Sequence, residues 1–452
     1  MTSTPHGIHP VFAIPEWLPH LGGLATFYAH LARCRSQLGL PTTILTTQRK
    51  PENPGWPGLE VVCVEGDKNR RFVQLSQALP EDWKLAALSL ATGAAMRAWL
   101  REHAPNCAVV FAAEFLGYAS ALCETGLPPL VVTAHGSLGQ IAARSPADAG
   151  APDLPLVRML ESDALLRAHL AHAYSPANSR EWTATLGHDI PCIDPPFALS
   201  QLLDTPKSAN QPLTGVVLGR LQDWKGAQTL ADALARLGPD FPLRIDWLGA
   251  DTRTAPGGTS MSEWLQKEHP TIWGKTFCWH GPAPREEALR RQARADFALV
   301  PSRWDTLNFT VLEAMDAGVP VLVSSGTGAS YLIEENINGR VFPADDPEAL
   351  ATVLREVTTH PETLPALGER ARTFLRERFT PSGCVERYEE LARRAQAAAQ
   401  KQTLPAEGAA NALQMLTEAL TQTDALPRRS GRELARALSQ KAGERLGIRR
   451  KP

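Results

Sequence analysis

The chain has 452 residues, too many for one ordinary hydrophobic core and suited to two domains. Its content of 43% hydrophobic and 21% charged residues is that of a soluble globular protein. The formal net charge of −2 gives no general basic field, which argues against nucleic acid as the main partner. The seven cysteines (Cys34, Cys63, Cys107, Cys123, Cys192, Cys278, Cys384) are scattered, with no Cys-x-x-Cys pair, so neither a disulfide framework nor a zinc site is indicated. There is no basic segment followed by an apolar core at the start, and no apolar run of roughly 18 residues anywhere, so the expected location is cytoplasmic.

Short apolar strands alternate with amphipathic helices, the pattern of parallel sheets covered on both faces. Pro10-Val11-Phe12-Ala13-Ile14 reads as a first strand, ended by Pro15. Gly22-Gly23 then opens a helix whose Leu24, Phe27, Leu31 and Leu38 fall near one face, and residues 42–47 form the next strand. The two glycines suit a tight turn, or a backbone that approaches a phosphate or sugar closely. Val109-Val110-Phe111 and Leu130-Val131-Val132-Thr133 are later strands of the same sheet. Glu114 and His135 follow them at the carboxyl edge, where both are candidates to face a ligand in the cleft. The histidine suits a hydrogen-bond donor, a proton shuttle or a satisfied structural residue. Cys192 to Pro196 closes a first domain of 1–196, and the polar, proline-containing stretch 197–212 reads as a linker.

A second α/β domain spans 213–380, with strands at 215–218, 243–248, 276–279, 297–300 and 319–323. Two such domains facing one another form a cleft at the carboxyl ends of both sheets, where open α/β folds bind ligands. Gly219, Arg220, Lys225 and Gly226 follow the first of these strands around a turn. The two cations can meet an anion there, or can be ordinary surface residues.

The segment from Pro301 to Val323 is the most informative. A strand end leads to a loop holding Asp305, then to a helix start holding Glu313, then to Gly318-Val319-Pro320 and another strand. The backbone amides of Phe309, Thr310, Val311 and Leu312 lie at the positive end of that helix, a ready phosphate site. Glu313 can accept two hydroxyl protons, as a ribose diol offers, and Asp305 can face another part of the ligand. Thr310 and Glu313 also have the spacing of a capping box, which would serve the helix alone.

These residues resemble the signature of retaining GT-B glycosyltransferases, family 4 in particular, in which two glutamates flank seven residues and a Gly-x-Pro-Val strand follows. The likeness continues in Ser324-Ser325-Gly326-Thr327-Gly328, Asn338-Gly339-Arg340-Val341-Phe342 and Asp345-Asp346-Pro347-Glu348-Ala349-Leu350. Upstream it includes Val217-Leu218-Gly219-Arg220-Leu221 with Lys225-Gly226. It covers about residues 10 to 395 and is stronger in the second half. The chain departs from the pattern twice. Asp305 stands where the first glutamate is usual, keeping the charge on a side chain one methylene shorter. Asn308 stands where glycine is common, and Asn tolerates left-handed backbone better than most residues.

The resemblance implies an α/β fold of the GT-B type, two Rossmann-like domains facing a central interdomain cleft. It implies transfer of a sugar, with retention, from a nucleoside diphosphate (UDP or GDP foremost) to a hydroxyl acceptor. The basic stretch 428–452 points to a saccharide or lipid-linked acceptor, in synthesis of cell-surface polysaccharide, lipopolysaccharide or glycolipid. By resemblance, Arg220 and Lys225 neutralise the pyrophosphate, Glu313 binds ribose, Asp305 meets the donor sugar and His135 lies beside the transferred sugar. Gly22-Gly23 falls on the family's glycine loop, and Gly281-Pro282-Ala283 on its base-binding turn. A helix at 381–400, with Val385, Tyr388 and Leu391 on one side, falls where the family returns to its first domain. With no Asp-x-Asp motif, no metal and no cofactor beyond the sugar nucleotide are expected. Two other readings use the same residues: a nucleotide-sugar epimerase, and a non-catalytic scaffold or regulatory subunit.

Residues 401–452 lie beyond the resemblance. From Arg428 to Pro452 nine Lys or Arg stand against Glu433 and Glu444. Such a segment can rest on an anionic membrane surface, each cation contributing about 1 kcal/mol, or form a solvated tail or subunit contact.

Overall fold

The computed structural model describes residues 8–19, 22–103, 107–145, 150–200 and 212–401. The chain divides into two compact units. The first runs to Tyr174, takes in Asn178–Ala198 and resumes at Pro381; the second comprises Ser175–Ala177 and Leu199–Thr380. Residues 201–211 of the expected linker and 402–452 of the expected basic tail lie outside the described residues.

In chain order the first stretch contains β1 (Pro10–Ile14), α1 (Gly23–Gln37), β2 (Thr42–Thr46), β3 (Leu59–Cys63), α2 (Glu65–Ala78), α3 (Lys84–His103), β4 (Val109–Ala113), β5 (Leu130–Ala134), α4 (Leu138–Ala142), α5 (Leu154–Arg167), β6 (Leu170–Ala173) and α6 (Pro176–Leu186). The six strands pair in the order β3-β2-β1-β4-β5-β6, all parallel. β1, β2, β4 and β5 are buried at every position, which is why β1, β4 and β5 read as near-continuous apolar runs; β2 is buried with three threonines among its five residues. The order reverses between β1 and β4. There the Tyr118 hydroxyl donates to the Ala13 carbonyl (2.8 Å) and accepts from the Ala113 amide (2.9 Å), tying the two strand ends together. Leu24, Phe27 and Leu31 of α1 are buried as expected. Leu38 is not: the helix ends at Gln37, and Leu38, one residue past it, is 45% exposed.

The second unit contains β7 (Leu213–Leu218), α7 (Ala227–Leu237), β8 (Leu243–Leu248), α8 (Met261–Glu268), β9 (Phe277–Trp279), α9 (Arg285–Arg294), β10 (Phe297–Val300), α10 (Phe309–Asp316), β11 (Val321–Ser324), β12 (Gly339–Phe342), α11 (Pro347–Thr359) and α12 (Leu364–Arg378). Its strands pair in the order β12-β11-β10-β7-β8-β9, again all parallel. Counted from its own first strand this is the same doubly wound order as in the first unit. The crevice at which such sheets bind ligands therefore falls between β7 and β10. Trp247, Phe277, Phe297, Leu299 and Leu322 fill the core beneath it at 0% exposure, each contributing about 1.5–3 kcal/mol by burial. The last helix, α13 (Pro381–Lys401), belongs to the first unit, where it packs on α1 and beside β4, β5 and β6 through Cys384, Val385, Tyr388 and Leu391.

Candidate functional site

In the second unit the β7 strand runs into Gly219, whose amide donates to the Leu248 carbonyl (3.0 Å) and whose carbonyl accepts from the Trp247 indole (2.8 Å). Arg220 follows, exposed, then a short 3-10 turn at Asp223–Lys225. Gly226 ends that turn at φ 81°. A Cβ there would lie 1.9 Å from the Pro301 carbonyl oxygen, so only glycine lets this turn pack against the end of β10. The close approach brings Lys225 Nζ to 2.5 Å from Asp305 Oδ2, with the two side chains 24% and 14% exposed. The Asp305 backbone is clamped by the glycine loop after β11. Its amide donates to the Gly326 carbonyl (3.0 Å), and its carbonyl accepts from the Gly328 amide (2.8 Å). Arg303 braces the same loop through Asp223 (2.8 Å) and Asp345 (3.1 Å). A cation and an anion expected to face different parts of a ligand are thus held against each other.

Asn308 explains its own departure from glycine. It sits at φ 76°, which Asn tolerates, and caps α10 by accepting from the Thr310 amide (3.2 Å) and hydroxyl (2.5 Å). The Thr310–Glu313 capping box is therefore not formed. The Val311 amide also turns to the Asn308 carbonyl (3.2 Å). Two of the four amides expected to meet a phosphate are taken by Asn308, which corrects that reading. The positive end of the helix dipole remains. Phe309, Val311 and Leu312 are buried in the core, so their side chains serve packing.

Glu313 is buried, with its side chain 7% exposed, and its Oε1 accepts a charge-assisted hydrogen bond from Arg285, the first residue of α9. Arg285 was not singled out from the sequence. One signal was available: a cation in the first turn of a helix opposes the helix dipole and needs a specific anion nearby. Gly281, at φ 73°, lies four residues before it. The Gly281 carbonyl accepts from the Gly249 amide (2.9 Å), while Pro282 is exposed. The chain runs from the Gly281-Pro282 turn into α9, whose first residue pairs with Glu313.

The first unit holds the remaining candidates. Gly22 caps α1 at φ −67°, ψ 163°, a conformation open to any residue, and a Cβ on Gly23 would meet nothing within 4 Å. The backbone at Gly22 does not require glycine, and the space over Gly23 is open. His135 follows β5 and is 8% exposed, among the rings of Phe27 (4.5 Å between centroids), Tyr174 (5.0 Å) and Tyr28 (5.6 Å). Burial, then the neighbouring His172, keep its pKa well below the ordinary histidine value. Burial disfavours the imidazolium, and a neutral ring suits hydrogen bonding. Glu114 is corrected as a residue facing a ligand: it is 0% exposed, and both carboxylate oxygens accept from backbone amides.

Among the described residues no helix is long and apolar enough to cross a membrane, and no group of three or more His, Cys, Asp or Glu is placed to hold a metal ion. Residues 204–374 match the family described as Glycosyl transferases group 1. A D-inositol 3-phosphate glycosyltransferase of Geodermatophilus obscurus is 29% identical over 188 residues, 41% of this chain and 42% of that protein. A GDP-mannose-dependent alpha-(1-6)-phosphatidylinositol monomannoside mannosyltransferase of Mycobacterium tuberculosis is 27% identical over 217 residues, 46% of this chain and 54% of that protein. The chain thus spans about half, or less, of the length of these curated relatives. In fold it is similar to sucrose-phosphate synthase from Thermosynechococcus elongatus (TM-score 0.63, 19% identity, covering 86% of this chain and 99% of that one). It is also similar to Anabaena HepE in complex with UDP and glucose (TM-score 0.60, 16% identity, covering 85% and 99%). The two six-stranded parallel sheets are those of the GT-B fold.

Proposed function

We propose that this chain, which belongs to the glycosyl transferases group 1 family through residues 204–374, moves a sugar from a nucleoside diphosphate to a hydroxyl acceptor with retention of configuration. The observation that carries the reading is the convergence of Lys225, Asp305 and the start of α10 on the switch point between β7 and β10. Glu313 takes the ribose diol through the carboxylate oxygen not engaged by Arg285, and the turn at Gly281-Pro282 takes the base. Arg220, Lys225 and the positive end of α10 face the pyrophosphate. Charge grows on that group as the glycosidic bond breaks, so fixed cations stabilise the transition state more than the ground state. The three sources supply the positive potential without an Asp-x-Asp motif, and turnover is expected to persist in EDTA.

Asp305, held by Lys225, meets the donor sugar. The bond from the anomeric carbon to phosphate oxygen breaks, the acceptor oxygen bonds that carbon on the same face, and the acceptor proton passes to the departing phosphate. His135 is assigned to the transferred sugar as a neutral hydrogen-bond donor. The open backbone at Gly22-Gly23 is left for a sugar or phosphate to approach. For the acceptor, the relative named for a phosphatidylinositol monomannoside supports a lipid-linked or saccharide hydroxyl in cell-surface glycolipid or polysaccharide synthesis. The basic stretch 428–452 would bring the protein to an anionic membrane.

The test is release of nucleoside diphosphate from a panel of UDP- and GDP-sugars, with and without lipid and saccharide acceptors, in EDTA. Acceptor-dependent release giving a product of unchanged anomeric configuration supports the reading. Acceptor-independent conversion of the donor would identify an epimerase instead.

A further inference from the structure

Two buried acids lie behind the ends of β4 and β5, and the proposed reaction uses neither. Glu114, after β4, spreads its carboxylate across successive amides: Oε2 accepts from His135 N and Oε1 from Gly136 N, both at 2.7 Å. Those amides flank the Cα of His135, so one carboxylate ties the backbone on both sides of the histidine. Glu161, 1% exposed on α5, accepts from the amides of Leu138 (2.6 Å), Leu116 (3.1 Å) and Gly139 (3.2 Å). It anchors α4 and the turn after β4 through these three amides. The His135 carbonyl is held in turn by the Tyr174 hydroxyl (2.9 Å).

We propose that Glu114 is the positioning residue for His135: its ionised carboxylate clamps the two amides around that residue and so fixes where the imidazole is presented. Only a carboxylate can do this. A glutamine, or a protonated glutamic acid, offers one good acceptor and places a donor against the other amide, leaving a buried N–H unsatisfied. Facing Glu114 are Tyr28 from α1, Tyr118 from the turn after β4 and Glu161 from α5; Glu16 faces Tyr118, and His172 of β6 faces His135. Burial raises the Glu114 carboxyl to about 7, against the pull of the amides of His135 and Gly136. Burial, then the charge of Glu114, raise Glu161 to about 8. The clamp therefore tightens as pH rises through neutrality.

This inference rests on the glycosyltransferase reading only where a rate is measured. The first readout needs no activity: the amide proton and nitrogen shifts of His135 and Gly136 in the wild-type full chain, from about pH 5.5 to about pH 9. The two amides should move together with one midpoint near neutrality, and Glu114→Gln should abolish the movement. Shifts of the His135 and Gly136 amides that Glu114→Gln leaves as they are in the wild type, in a folded variant, would overturn the proposal. The second readout compares Glu114→Gln with Glu161→Gln in sugar transfer. Glu114→Gln should lower kcat by about 10- to 100-fold, the usual cost of misplacing a group by up to an ångström, with donor KM within about twofold of wild type. It should also lose the rise of kcat through neutral pH, and Glu114→Asp, which keeps the charge, should recover part of the rate. Equal losses in both glutamine variants, tracking melting temperature and leaving the pH profile unchanged, would reduce Glu114 to a structural acid. A wild type that titrates as described but transfers no sugar would overturn the proposed function and leave the clamp standing.

Discussion

Lys225 and Asp305, 80 residues apart in sequence, meet as an ion pair of 2.5 Å at the carboxyl ends of β7 and β10. The pair is partly exposed, so its contribution to stability is about 1 kcal/mol or less. Its contribution to catalysis should be larger, because a preorganised cation meets the charge that develops on the leaving phosphate. Lys225→Ala is expected to lower kcat about 100-fold or more, with a melting temperature close to wild type. Asp305→Asn should lower activity as well. Asp305→Glu, which restores the family's usual length, should fall between Asp305→Asn and wild type, because the loop is fitted to the shorter side chain. Nucleoside diphosphate release and thermal unfolding on the same samples check all three.

Two glycines should behave in opposite ways. Gly226→Ala forces a Cβ against the Pro301 carbonyl at a left-handed position, and is expected to destabilise the second unit by about 3 kcal/mol or more. Gly23→Ala meets open space at the start of α1, and should leave stability unchanged or raise it by about 0.4–1 kcal/mol. If the open backbone there is kept for a ligand, Gly23→Ala should nevertheless raise KM. Denaturant unfolding together with steady-state kinetics separates the two effects.

Removing Arg285 leaves Glu313 buried without its cation. Because Arg285 is itself 36% exposed, the cost is discounted from that of a fully buried pair, to about 1–2 kcal/mol. Arg285→Ala should also weaken nucleotide binding, but less than Glu313→Ala, since the acceptor oxygens remain. Arg285→Lys should recover little, because a point charge cannot reproduce the planar guanidinium contact. Calorimetry on the three variants orders them.

The buried acids set the sign of a pH dependence in stability. In the folded chain Glu114 and Glu161 titrate near 7 and near 8, above the ordinary 4.5, so the folded state holds extra protons between these values. Their contribution is fully present below about pH 4.5 and is lost as pH rises through 7 and 8. His135 and His172, held below the ordinary 6.5, act oppositely but only below that pH. Between about pH 6.5 and about pH 8, the contribution of these four groups to unfolding free energy should therefore fall. The Glu114→Gln and Glu161→Gln double variant should flatten the slope. Chemical denaturation at several pH values measures it.

The strands legible in the sequence were mostly those buried on both faces, such as β1, β10 and β11. Those not identified as strands, β3, β6 and β12, are all sheet edges, with half-exposed and broken apolar patterns. At the site, the residue types at 220, 225, 305 and 313 stood out, but the partners of the last three did not. A contact across 80 residues leaves no local pattern, and Arg285 shows only as a misplaced helix charge. Glu161 was readable in principle, as one acid on the apolar face of Val157, Leu160, Ala164 and Leu165. The clamp on His135 was not, because it is made of backbone amides that carry no residue signature.

The most direct test is calorimetric binding of UDP, GDP, ADP and TDP in EDTA, to wild type and to Glu313→Ala. The account predicts micromolar binding of one nucleotide, weakened about tenfold or more by the substitution, equivalent to about 1.4 kcal/mol. Failure of all four to bind, or binding that Glu313→Ala leaves unchanged, would contradict a donor site between β7 and β10.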